Sequence, residues 1–124
     1  MRFLASLAVI IVSVLHFGFL ALEMFFWDQP LGRDVFAMTP EQSAQTAVLA
    51  ANQGLYNGFL GAGLLWGLIA RKKDVIIFFL SCAIIAGVFG ALTAKPTILL
   101  IQAAPAAIAL GLAIFARDRR SETS

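Results

Sequence analysis

Residues 3–22 read FLASLAVIIVSVLHFGFLAL, twenty positions without a formal charge. Roughly 20 apolar residues of helix cross the hydrocarbon core of a bilayer, so this one run is long enough to span it. Three more uncharged runs follow at residues 42–70, 75–94 and 96–116. In a chain of 124 residues, 60% hydrophobic and 13% charged, such runs exclude an ordinary water-soluble enzyme. About 40 residues remain for loops and tails, too few for a separate soluble domain. The expected fold is all-α: a four-transmembrane-helix bundle forming one domain over residues 1–116, with a polar cytoplasmic tail at 117–124.

Charge placement orients the bundle. If the four segments cross in series, Arg2, Arg71, Lys72, Lys73, Arg117, Arg119 and Arg120 share one side, and only Arg33 and Lys95 lie opposite. The excess of Lys and Arg marks the cytoplasmic side, so both termini are expected inside a bacterial inner membrane. Trp27 and Trp66 then fall near the outer and inner interfaces, where amphipathic rings are favoured. The basic residues sit at helix ends without a stripe of interleaved aromatics, which argues against nucleic acid as a partner. Met1-Arg2-Phe3 and the run after it imitate a signal peptide. The run is long and lacks a small-x-small cleavage pattern, so a retained first helix is expected. Cys82, alone in an apolar run, has neither a disulfide partner nor metal-site spacing.

Local signals set the boundaries. The first helix should cover about 3–26 and end before Asp28-Gln29-Pro30-Leu31-Gly32, which reads as a turn. Thr39-Pro40-Glu41-Gln42 reads as a helix start, with Thr as N-cap, Pro at the first position and Gln three residues after the cap. A second helix from Pro40 to Ala70 would be about 46 Å long against a hydrocarbon core of about 30 Å, so its first turns project outward, lie in the interface or bend. Helices at about 75–93 and 97–116 complete the set, the last kinked by Pro105. Small residues mark faces for close helix contact: Gly54, Gly58, Gly63 and Gly67; Ala83, Gly87 and Ala91; Ala103, Ala107 and Gly111.

The polar residues inside these runs are the candidate site. Ser6, Ser13, His16 and Glu23 recur at steps of seven, three and seven, one stripe of the first helix. A charge at the bilayer centre costs roughly 2.5–3.5 kcal/mol on insertion scales, so this stripe should face the bundle or water. The second helix adds Asn52, Gln53, Tyr56 and Asn57. Counted outward from Arg71, Asn57 reaches the level of His16, and Asn52 and Gln53 approach that of Glu23. Gln102 and Lys95 come to matching outer-leaflet heights, with Lys95 as an ion partner for Glu23. The expected object is a polar pocket opening outward, its ligand-binding set being His16, Glu23, Asn52, Gln53, Tyr56, Asn57 and Gln102. One His and one Glu do not make a three-ligand metal signature, and neither a metal site nor a cofactor is expected. Ser13, three residues from His16, is a weak nucleophile arrangement because Ser in such helices bonds backbone. No catalytic residue is identified, and enzymatic activity is not favoured.

The segments His16-Phe17-Gly18-Phe19-Leu20-Ala21-Leu22-Glu23-Met24-Phe25-Phe26-Trp27 and Asn52-Gln53-Gly54-Leu55-Tyr56-Asn57-Gly58-Phe59-Leu60-Gly61-Ala62-Gly63 resemble the domain of unknown function 1304 family. The resemblance covers nearly the whole chain. It implies a small bacterial four-helix integral membrane protein and no activity.

The leading functional expectation is binding of a small polar or amphipathic ligand, such as a lipid headgroup or a transported solute, among membrane lipids and with a homodimer as one form. Glu23 would supply charge, His16 a switchable proton, and the carboxamides oriented hydrogen bonds. The alternative is a structural or assembly subunit of a membrane complex whose polar cluster only holds helices together. A second alternative is a transporter similar in layout, though not in motif, to small multidrug resistance exporters.

Overall fold

Each apolar run becomes a helix because unbroken apolar sequence offers the backbone no competing side-chain partners, and the breaks fall where Pro, Gly and charge interrupt it. The computed structural model describes residues 2–116; the tail at 117–124, with its three arginines, lies outside them. The elements are α1 (Phe3–Met24), α2 (Pro30–Phe36), α3 (Pro40–Ile69), α4 (Lys73–Thr93), a π-helical turn (Leu99–Ala103) and α5 (Ala104–Phe115). α1 packs on α3, α3 on α4, α4 on the π turn and α5, and α5 on α1, so the long elements close into a ring.

The start of α3 follows the expected capping box. The Thr39 hydroxyl accepts from the Gln42 backbone N–H at 3.1 Å, and the Gln42 carboxamide accepts from the Thr39 N–H at 3.0 Å. α3 ends one residue earlier than expected. Lys72 N–H closes back on Gly67 O at 2.9 Å, with Arg71 in the left-handed region at φ 55°. α1 stops at Met24 and α4 starts at Lys73, within two residues of expectation.

Two elements differ from the sequence reading. Residues 30–36, expected as part of an irregular outer loop, form α2. Pro30 needs no N–H in a first turn, and Ala37 ends the helix in the left-handed region at φ 52°. Gly32 therefore serves space rather than turn geometry: a Cβ there would overlap the carbonyl oxygens of Phe26 and Trp27. The second difference is upstream of Pro105. Pro105 cannot donate to Ile101 O, and the chain responds with a π turn in which Ala104 N–H reaches back five residues to Leu99 O.

Glycines let the helices meet. Along the α1–α3 seam Gly54 faces Met24, Gly58 faces Leu20 and Gly61 faces Phe17, a constant antiparallel register. Gly63 and Gly67 admit Phe79 and Ile76 of α4, and Gly87 lies against the backbone of Ala103. The contact face of the π turn and α5 is Ala103, Ala106, Ala109 and Ala113, all buried, whereas Ala107 is exposed and a Cβ at Gly111 would meet nothing within 4 Å. Of the expected face Ala103 is kept, while Ala107 and Gly111 are not on it, because successive steps of four residues each drift by about 40° around a helix of 3.6 residues per turn.

The apolar core gathers Val9 and Val12 of α1, Leu64 of α3, Ile76 and Leu80 of α4, and Ala106, Ala109 and Ala113 of α5. Outside this core the helices remain apolar. α1 and α4 are long and apolar enough to cross a membrane, yet only 28% and 22% of their most apolar windows are buried inside the bundle. Large side chains such as Val14, Phe78, Ile85, Phe89 and Leu92 face outward.

Gly87→Ala should be destabilising by about 1–3 kcal/mol, because its Cβ would lie 2.8 Å from the Ala103 backbone nitrogen. Gly111→Ala should be neutral or stabilising, since its Cβ enters open space and alanine favours helix. Thermal unfolding of the two variants in detergent, compared with the parent, checks the contrast; equal effects would contradict the packing.

Candidate functional site

The stripe on α1 turns inward as its spacing requires. Ser13, His16 and Glu23 are buried, and Ser6 is half-buried. Because α1 has a neighbour on each side, the stripe divides between two seams.

On the α3 side, the Asn57 carboxamide nitrogen donates to Glu23 Oε1 at 2.7 Å, with Glu23 6% and Asn57 8% exposed. Deeper on the same seam, Ser13 Oγ donates to Gly61 O at 2.9 Å. That bond needs the backbones close, which Gly61 permits: a Cβ there would lie 3.1 Å from Ser13 O. Asn57 thus sits at the level of Glu23 rather than of His16, because the helices cross with Gly58 on Leu20. Counting from Arg71 placed it about two turns too deep. Lys95 is not the partner of Glu23; among the described residues the ion pair formed is Arg33–Asp28, at 3.2 Å.

On the α5 side, His16 Nδ1 lies 2.8 Å from Val12 O, and a carbonyl can only accept, so Nδ1 carries a proton. Nε2 faces the Gln102 carboxamide nitrogen at 3.4 Å, which suits a neutral ring accepting a long bond. The π turn is what places Gln102 there. Phe19 packs edge-on against the imidazole, with centroids 5.6 Å apart. Ser13 bonds α3 and His16 bonds its own helix and Gln102, so the two form no nucleophile–base pair.

Asn52, Gln53 and Tyr56 lie on exposed faces of α3, and Tyr56 packs edge-on against Phe59. They are not brought together with His16, Glu23, Asn57 and Gln102. Among the described residues no fully buried side-chain nitrogen or oxygen lacks a hydrogen-bond partner. Any unbonded atom of the Glu23–Asn57 pair therefore reaches the surface.

Sequence reasoning missed a third polar group, a clasp between the α1–α3 connection and the first turns of α3. Ser43 Oγ donates to Asp28 Oδ1 at 2.6 Å and accepts from Arg33 Nε at 3.1 Å, while Arg33 also reaches the Asp28 carbonyl at 3.1 Å. Trp27 Nε1 donates to Thr46 Oγ1 at 2.9 Å, and its ring stacks at a tilt on Phe36 of α2. The start of α3, expected to project outward, lie in the interface or bend, is tied to α2 and the turn before it by these bonds, while Glu41, Gln42, Ala44 and Gln45 remain exposed. The signal was Pro30 as a helix start, which would have placed Arg33 within reach of Asp28. Hydrogen bonds from Ser43 and then Arg33 hold the Asp28 carboxyl below its usual range.

The model of a family described as "Protein of unknown function (DUF1304)" matches residues 10–114. The chain is similar to a relative described as "Uncharacterized protein YpaA" from Lactococcus lactis subsp. lactis (strain IL1403), 29% identical over 114 residues that cover 89% of this chain and 96% of the relative. No solved structure matches.

Because its folded-state pKa is depressed, Asp28 contributes to the clasp fully above its unfolded value of about 3.9, and that contribution is lost as pH falls through the lower folded value. In a Trp66→Phe background, Trp27 emission should therefore shift only below about pH 3.9. Asp28→Asn should give the acid-type spectrum at neutral pH. A Trp27 signal that titrates near neutrality would contradict the clasp.

Proposed function

As a member of the DUF1304 family the chain comes with a family description that names no activity, and we propose from its own residues that it is a four-span integral membrane protein binding a small cationic or amphipathic molecule at Glu23. On this reading α1, α3, α4 and the π turn with α5 each cross the bilayer. Both termini and the Arg71–Lys73 turn face the cytoplasm, and the clasped end of α3 lies outside. The outward-facing apolar side chains of α1 and α4 are then solvated by lipid tails, which removes the cost of exposing them to water.

The observation carrying the ligand is the partner of Glu23. A buried carboxylate is stable when a cation pairs with it, and here the partner is the neutral Asn57 carboxamide. The free side of the pair is a place for positive charge, brought by a ligand or by a proton. His16 and Gln102, about two turns deeper on α1, add a hydrogen-bonding pair on the adjoining seam. Asn52, Gln53 and Tyr56, exposed on the outer half of α3, present polar groups toward an approaching ligand.

A second reading, a structural or assembly subunit, draws on the internal satisfaction of the buried polar atoms. Interhelical bonds of this kind are worth about 0.6 kcal/mol each on average, enough to specify helix pairing.

Glu23→Gln separates the two, since a carboxamide can keep the bond from Asn57 but carries no charge. With tetraphenylphosphonium as probe, the parent should gain thermal stability, about 2.7 kcal/mol at a hundredfold excess over Kd. The Glu23→Gln variant should fold and lose the gain. An equal response in both proteins, or no response in the parent, would favour the assembly reading.

A further inference from the structure

At the end of the bundle opposite Glu23, α1 and α5 part to leave a groove of about 600 Å³. Its walls are Phe3 and Leu4 on one side and Ile108 and Phe115 on the other, and Gly111 leaves the floor open. Arg2 is the one charged side chain lining it among the described residues. The groove follows α5 from Ala107 to Ala116, about 13 Å along the helix axis, with Arg2 at the terminal end.

An apolar trough closed at one end by a cation matches a molecule with an apolar tail and an anionic head. Small polar solutes would leave the walls unsatisfied, and a neutral lipid would make no use of Arg2. The surrounding charge agrees. Lys73 lies beside the same helix end, donating to Ile114 O at 3.1 Å and Ala116 O at 2.9 Å, and Arg71 and Lys72 share its turn. Against these stands Asp74, whose carboxylate is engaged by the Val75 N–H at 2.9 Å. Such a cluster at a membrane surface attracts anionic lipid at about 1 kcal/mol per basic residue.

We propose that this groove is a binding site for one anionic glycerophospholipid of the cytoplasmic leaflet, an acyl chain lying along Gly111 and the phosphate meeting Arg2. The inference rests on the membrane reading above but not on the ligand at Glu23, which lies on the other half of the bundle. The lipid fills a space that side chains leave empty and ties the first turn of α1 to the last turns of α5.

The test is native mass spectrometry of the full chain released from nanodiscs of equimolar phosphatidylglycerol and phosphatidylcholine. The parent should retain one phosphatidylglycerol per protomer in preference to phosphatidylcholine by about fivefold. Arg2→Gln should lower that preference toward one while lipid is still retained. Gly111→Phe, which fills the trough without touching charge, should lose the retained lipid, and Ala107→Leu serves as an independent filler should the first variant fold poorly. Glu23→Gln should retain lipid like the parent, so loss of the cation response and loss of the lipid are read separately. Equal retention of the two lipids by the parent would overturn the proposal. So would undiminished retention in both filled variants.

Discussion

The close antiparallel approach of α1 and α3 is the constraint on which the rest depends. Gly54, Gly58 and Gly61 remove the side chains that would hold the helices apart, and Leu20, Met24 and Phe17 fill the space they leave. Once the backbones are this near, Ser13 reaches the carbonyl of Gly61 and Glu23 reaches Asn57. The polar bonds follow from the packing. Their energies are too small to impose it, at about 0.6 kcal/mol for an average interhelical bond, but they fix the register, since sliding by one turn would break both at once.

The opposite seam is set by a single backbone defect. A regular helix through Pro105 would leave the Ile101 carbonyl without its donor and press the proline ring against it. The π turn spreads that mismatch over five residues and rotates the helical turns on its two sides relative to each other. Before the turn, Gln102 faces His16; after it, Ala106, Ala109 and Ala113 face the core. Gly111 lies off the core-facing line of α5 and leaves the groove against Phe3 and Leu4.

Much of this architecture was legible because it depends on patterns only a few residues long. The uncharged runs located the long helices, the Thr39–Gln42 pair located the start of α3 to the residue, and the spacing of Ser13, His16 and Glu23 identified the inward face of α1. What was not legible depends on distance between segments. The pairing of Asn57 with Glu23 is a matter of how two helices cross, which counting from a shared turn misjudges by several residues. Asn52 and Gln53 lie on a face that rotates outward, and α2 is too short for periodicity to reveal. The π turn was half visible: Pro105 announced a disturbance, but a missing N–H does not say whether the helix kinks or changes its hydrogen-bond register.

The chemistry at position 23 is what packing alone does not explain. If Glu23 served only to hold α3, a carboxamide would accept the same bond from Asn57 without placing an ionisable group in a site only 6% exposed. Burial of a charge costs several times what one interhelical bond returns, less near the interface than at the bilayer centre. The His16–Gln102 pair shows that this bundle can join two helices with neutral groups. A carboxylate at the α1–α3 seam, near the Asp28–Arg33–Ser43 clasp, is therefore the residue whose chemistry exceeds its structural use.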